Sequence, residues 1–360
     1  MIKRYLIFSI TLFLSLMAHA AVPDSIKQNL ADYDYLTNYT ETNLATYPYI
    51  VRKRAKEYKV MRRKIRNSVK NGESILDATC DYVFWLFSHF DTHFYVDNHH
   101  FWSDYDIKIH PRYKDLIEYD PLPLAQAVDS VTFLIRVPSC DGRNPTFAWT
   151  DSAVVKFVES HCYNLIIDVR GNTGGSDMIW QPFFPLLIDH LPRQQSKILF
   201  RNTPQNRKNI EFRGMDSLID KAKHSKQQFI PLEENEEDEK IPPLSSIKNV
   251  AVIIDSRTAS SVETIVRLVK DYCNRGEVYG RDNTNGAYLS GNIAKFSLPN
   301  SGISCYYPTC IDDRFTSYIS QKGIGIEPDI RINLPLPMSL RDNIDSWTLW
   351  VTQQLESKNR

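Results

Sequence analysis

Residues 249–263 read Asn249-Val250-Ala251-Val252-Ile253-Ile254-Asp255-Ser256-Arg257-Thr258-Ala259-Ser260-Ser261-Val262-Glu263. Val250 to Ile254 form a short apolar run rich in β-branched side chains, the pattern of a strand buried on both faces. The period then changes, because Val262, Ile265, Val266, Val269 and Cys273 fall on one helical stripe and Asn274-Arg275-Gly276 supplies a stop. The reading is a strand over 249–254 and a helix over 260–273, with Ser260 where the strand delivers the chain to the helix N-terminus. A hydroxyl at that place has free N–H groups and the positive end of the helix dipole beside it, which suits a nucleophile and an oxyanion site. Ser260-x-x-Glu263 is also the spelling of a capping box, which requires no chemistry.

A second unusual turn follows another buried strand: Asn164-Leu165-Ile166-Ile167-Asp168-Val169-Arg170-Gly171-Asn172-Thr173-Gly174-Gly175. Glycines after a strand allow close backbone approach and free N–H groups to point at an anion. The spelling is neither GxGxxG nor a phosphate loop ending in GK[ST], so nucleotide binding is excluded.

Outward from these turns, strands are expected over 131–137, 164–169 and 277–280 and a helix over 151–161. A helix broken by Pro182 and Pro185 follows, and then a polar insertion over 201–246 whose acidic run, 233–239, reads as a solvated loop. Strand alternating with helix implies an α/β fold whose mostly parallel sheet is covered by helices. A helical N-terminal region precedes it. Its clearest helix spans 49–70, where Val51, Ala55, Tyr58, Met61, Ile65 and Val69 make one apolar stripe. That segment holds ten Lys or Arg against the single acid Glu57, read as a solvated face rather than a nucleic-acid surface. A terminal helix over 342–355 closes the chain. The expected division is 1–20 as a signal peptide, 21–125 as the helical region and 126–360 as the α/β domain.

The signal peptide is read from Lys3-Arg4, an apolar run to Met17, and Ala18-His19-Ala20, giving cleavage after Ala20 and an exported, periplasmic or extracellular protein. The apolar run is too short to cross a bilayer, so no stable membrane insertion is expected after cleavage. Lysines and arginines balance aspartates and glutamates at 43 each, so net charge argues for neither nucleic acid nor an acidic surface as partner. Six cysteines without a CxxC pair make no disulfide framework or zinc motif, although Cys305 and Cys310 are close enough in sequence for a bridged loop. His89, His93, His99 and His100 cluster near Asp91 and Asp97, but HExxH is absent; no metal and no other cofactor is expected.

Residues 164–175 resemble the DxRxNxGG signature of tail-specific (C-terminal processing) serine proteases, and residues 252–263 resemble the T-A-S-x-x-E nucleophile turn of the same family. Leu298-Pro299-Asn300-Ser301-Gly302 and Gly323-Ile324-Gly325-Ile326-Glu327-Pro328-Asp329 resemble two later segments, in order and spacing over 131–335. The resemblance implies a crotonase-like core, a protein or peptide substrate, Ser260 as nucleophile, and the N–H groups of Ser261, Gly174 and Gly175 as oxyanion donors. One branch activates its serine with a lysine about 25 residues downstream, but Gly280-Arg281-Asp282-Asn283-Thr284-Asn285-Gly286 has none there. The branch that resembles the tricorn core protease uses a histidine from a segment like Trp85-Leu86-Phe87-Ser88-His89-Phe90-Asp91-Thr92-His93, which implies His93 as general base. That branch orients the histidine with a glutamate, whereas Ser320-Gln321-Lys322-Gly323 stands here. Only a short stretch separates His93 from Val131, so a PDZ domain is not expected. A catalytically silent relative that binds peptide or an apolar ligand is the alternative.

Overall fold

A computed structural model describes residues 23–90, 93–98, 120–188, 190–191, 197–212, 216–232, 239–240, 246–313, 325–341 and 343–358. The expected signal peptide, His99, His100, Lys322 and residues 233–238 of the acidic run lie outside them.

The helical region consists of α1 (Asp24–Asn43), α2 (Tyr47–Lys70) and α3 (Ile75–Phe90), followed by the short strand β1 (Tyr95–Val96). The main sheet is built from β2 (Leu124–Ala127), β3 (Thr132–Arg136), β4 (Asn164–Asp168), β9 (Asn249–Ile254), β10 (Gly276–Gly280) and β13 (Ile330–Arg331). Its strand order is β13-β10-β9-β4-β3-β2, parallel throughout except for β2 at the edge. Between these strands run α4 (Phe147–Glu159), a 3-10 turn (Asp177–Phe183) with α5 (Phe184–Leu187), and α8 (Ser261–Tyr272), while α9 (Ser346–Ser357) follows β13.

Side-chain alternation along β4 and β9 explains why Leu165 to Ile167 and Val250 to Ile254 are unbroken apolar runs. Leu165, Ile167, Val250, Val252 and Ile254 meet Val262, Ile265, Val266 and Val269 of α8 on one face. Ile166, Ala251 and Ile253 meet Trp347, Val351 and Leu355 of α9 on the other. Full burial of each such side chain contributes roughly 1.5–3 kcal/mol.

The mostly parallel sheet is only part of the architecture. A second, antiparallel sheet is centred on β12 (Ser304–Asp312), which pairs with β11 (Ser290–Ser297) on one edge and with β1 and β6 (Ile198–Arg201) on the other. β7 (Phe229–Pro231) extends it beyond β6, and β5 (His190–Leu191) pairs with β8 (Glu239–Lys240) separately. The stretch read as a polar insertion thus holds α6 (Pro204–Phe212), α7 (Asp216–His224) and β7, with Phe200, Leu218, Ile219, Ala222, Ile230 and Cys310 in a small core. Polar composition hid this layer, because its apolar residues are few and converge only in three dimensions.

The N-terminal helices share a core with that sheet: Tyr33, Leu36, Tyr58, Tyr82 and Leu86 pack with Phe296, Cys305 and Tyr307. Tyr39 stacks on Phe296 with ring centroids 4.0 Å apart. The cations of α2, among them Lys53, Lys56, Lys59 and Lys64, lie on its exposed face. No helix among the described residues is long and apolar enough to cross a membrane.

The idea of a Cys305–Cys310 bridge is overturned. Both residues lie in the same extended strand and both are free thiols. Five steps of about 3.3 Å separate their Cα atoms by about 16 Å, far beyond the ~7 Å a disulfide spans. Their odd spacing also sends them to opposite faces, Cys305 toward the helical region and Cys310 toward the small core of α7.

Candidate active site

At the carboxyl end of β9, Asp255 shapes the turn that presents Ser260. Its carboxylate accepts the N–H groups of Arg257 (2.9 Å) and Thr258 (3.0 Å) and reaches across to Gly171 N–H (2.9 Å). Ala259 N–H donates to the Asn172 carbonyl at 3.0 Å, so the serine turn and the glycine turn are hydrogen-bonded to each other. Ser260 itself has φ 64° and ψ −130°. A β-free left-handed φ is unfavourable for any residue with a side chain, and such strain persists only where neighbours over-determine it.

Glu263 is one of those neighbours. Its Oε2 accepts the Ser260 N–H at 3.0 Å, the glutamate half of a capping box. Glu263 N–H in turn donates to the Ser260 carbonyl at 2.8 Å. Ser260 Oγ is turned to His93, whose Nε2 lies 2.9 Å away. His93 Nδ1 lies 3.1 Å from Ser290 Oγ, at the start of β11. The imidazole is 8% exposed and comes from the connection between α3 and β1, far from Ser260 in sequence.

Gly174 and Gly175 wall the other side, with φ 98° and 142°. A Cβ on Gly174 would sit 2.6 Å from Ser260 Cβ, and one on Gly175 would sit 2.3 Å from the Cys140 carbonyl carbon, so both positions exclude a side chain. Of the three N–H groups expected to face an oxyanion, that of Gly174 is committed to Asn172 Oδ1 at 2.8 Å and is corrected from donor to turn element. The N–H of Gly175 and that of Ser261, the first residue of α8, make no hydrogen bond to the described residues. Gly175, Ser260, Ser261, His93 and Ser290 all line one cavity of about 510 Å³, whose apolar wall includes Ile198, Leu232 and Ile311.

Asp168 and Arg170 of the glycine-turn signature serve another purpose. Arg136 donates to Asp168 at 2.7 Å, and Arg170 donates both to Asp168 (2.9 and 2.7 Å) and to Asp345 (3.2 and 2.6 Å). Asp345 also caps α9 through the Trp347 N–H at 2.8 Å. Burial alone would raise the Asp168 carboxyl, but Arg170 and Arg136 hold it well below the usual carboxylate range. This buried network ties the glycine turn to the last helix and does not enter the cavity.

Lys270 and Lys295, the lysines nearest in sequence to the lysine-free stretch 280–286, are engaged elsewhere. Lys270 pairs with Asp329 and donates to the Glu327 carbonyl at 2.9 Å. Lys295 lies over the Tyr306 ring at 5.3 Å. The nearby acids are also occupied, Glu327 by Arg331 at 2.8 Å and Asp329 by Lys270 and the Val278 N–H. Sequence reading missed Ser290, which belongs to no motif and reaches His93 only through the second sheet.

The sequence profile of peptidase family S41 matches residues 133–332, more than half of the chain. Comparison with curated proteins finds no match. Among solved structures, a protein of Parabacteroides merdae described as a peptidase aligns at 16% identity and TM-score 0.49, over 87% of this chain and 90% of its own. A lipoprotein of Streptococcus agalactiae aligns at 14% identity and TM-score 0.47, over 92% and 96%. The photosystem II D1 C-terminal processing protease aligns at 17% identity and TM-score 0.37, over 61% and 47%.

Proposed function

The chain belongs to peptidase family S41, and from that membership we propose that it is an exported serine endopeptidase, cleaving peptide bonds through an acyl-enzyme on Ser260. The observation that carries the reading is the 2.9 Å contact between His93 Nε2 and Ser260 Oγ. Ser260 Oγ attacks the scissile carbonyl carbon while its proton passes to His93 Nε2. The developing oxyanion takes the N–H groups of Ser261 and Gly175, at the positive end of α8. Collapse of the tetrahedral intermediate breaks the C–N bond, and His93 returns the proton to the leaving amine. Water then attacks the ester with the same imidazole as base, releasing the acid and restoring Ser260. The substrate's side chains would meet the apolar wall of the 510 Å³ cavity.

A serine-directed fluorophosphonate tests this directly. Labelling should map to Ser260, vanish in Ser260→Ala, and fall by several orders of magnitude in His93→Ala, as removal of a general base does in serine hydrolases. The wild-type rate should rise with pH through an ionisation near 6 to 7, the ordinary imidazole range. Labelling elsewhere, or full turnover in Ser260→Ala, would remove the assignment. A folded protein that never labels would leave the cleft as a binding site for peptide or an apolar ligand.

A further inference from the structure

We propose that Ser290 is the positioning residue of this site, its hydroxyl accepting the Nδ1–H of His93 and thereby keeping Nε2 bare for the Ser260 proton. The inference deepens the serine-peptidase reading and rests on it. A neutral imidazole carries one proton, on one nitrogen or the other, and the partner of each nitrogen selects the tautomer. With Nε2 2.9 Å from Ser260 Oγ, base catalysis requires the proton on Nδ1, and Ser290 Oγ stands 3.1 Å from that nitrogen.

Ser290 is held in place by the same acid that holds the nucleophile. Glu263 accepts the Ser260 N–H (3.0 Å) and also the N–H groups of Gly286 (2.8 Å) and Ala287 (2.7 Å), in the segment that leads into Ser290. β11 then locks the position, with Ser290 opposite Ile311 in the antiparallel register. One buried carboxylate therefore sets the relative positions of the two hydroxyls that flank the imidazole.

A hydroxyl fixes the tautomer but, unlike a carboxylate, brings no negative charge to offset the imidazolium formed during attack. Placing a carboxylate at this position should therefore raise the basicity of His93. Besides His93, Tyr288 and Cys310, the cavity's titratable side chains are the carboxylates of Asp177 and Asp312, whose amide variants serve as controls.

The experiment combines ¹⁵N-imidazole NMR of the full mature chain with fluorophosphonate labelling rates between pH 5 and 9. In the wild type His93 should populate the Nδ1–H tautomer. Ser290→Ala should lose that preference and label about tenfold more slowly, the value of one lost hydrogen bond. Ser290→Thr, which keeps the hydroxyl, should restore both. Ser290→Asp should move the His93 midpoint upward by about one unit or more, as an adjacent opposite charge does. An unchanged tautomer and pH profile in Ser290→Ala would overturn the proposal while leaving Ser260 labelling, and so the peptidase reading, intact. A tautomer change in Asp312→Asn or Asp177→Asn but not in Ser290→Ala would overturn it equally. Failure of wild-type Ser260 to label would remove the peptidase reading and this inference with it.

Discussion

Glu263 is fully buried and accepts four hydrogen bonds, from Ser260 N–H (3.0 Å), Thr284 Oγ1 (2.5 Å), Gly286 N–H (2.8 Å) and Ala287 N–H (2.7 Å). Burial outweighs the pull of the four donors toward ionisation and raises its carboxyl to about 7. A carboxyl whose folded pKa is raised holds its proton more firmly in the folded state, so its contribution to stability is complete below the unfolded value and is lost as pH rises toward 7. The window is therefore pH 4.5 to 7, and the change across it is on the order of 3 kcal/mol. Glu263→Gln removes the titration and turns an NH₂ toward backbone N–H donors, leaving buried groups unpaired at about 1–3 kcal/mol each. Thermal midpoints measured from pH 4.5 to 8 should show the variant less stable throughout, with the gap widest at the acid end. A gap independent of pH would contradict the raised carboxyl. The i,i+3 spacing of Ser260 and Glu263 was legible as a capping box, but nothing in sequence announced that the same carboxylate reaches residues 284–287.

At the scale of elements, the turn after β4 performs two tasks on its two faces. Gly175 lines the cavity and Gly174 backs onto Ser260, whereas Asp168 and Arg170 face α9 through Arg136 and Asp345. Arg170 also lies 5.2 Å from the Trp347 ring centroid, so the guanidinium is sandwiched between ion pair and aromatic face. Asp168→Asn would leave two buried guanidinium groups short of their shared counter-ion, which costs about 3–5 kcal/mol when a buried pair is broken from one side. Urea unfolding at pH 7 measures it, and a loss under about 1 kcal/mol would mean that Asp345 alone suffices. Since the Asp168 carboxyl is depressed, its stabilisation is present above the ordinary carboxylate range and should fade only as pH falls through the lowered folded value. The sequence motif marked this turn correctly but could not divide its residues between chemistry and support.

For the whole molecule, the contact between Ser260 and His93 depends on docking two regions that have different secondary structure. Ser260 belongs to the parallel sheet, while His93 arrives from the helical region, whose α1–α3 share a core with β11 and β12. Asp32 of α1 reinforces that docking by accepting the N–H groups of Asn300 (2.9 Å) and Ser301 (2.7 Å) in the β11–β12 turn. The proposed export belongs to this scale as well, since cleavage after Ala20 would leave Ala21, Val22 and Pro23 ahead of α1 at Asp24. N-terminal sequencing of the exported protein should therefore begin at Ala21. Retention of Met1 in exported material would exclude cleavage.

By itself the sequence determined the elements whose side chains carry a period: the apolar strands β4 and β9, the amphipathic α8, the basic α2 and the glycine turn beside Ser260. These are local signals, because burial on one face or two writes itself directly into the spacing of apolar residues. Tertiary structure alone decided the antiparallel sheet around β12, the separation of Cys305 from Cys310, the withdrawal of Gly174 N–H into the turn, and the meeting of His93 with Ser260 and Ser290. Each of these depends on which distant segments are brought within about 3 Å of each other, and a hydrogen bond at that range leaves no periodic trace in either segment.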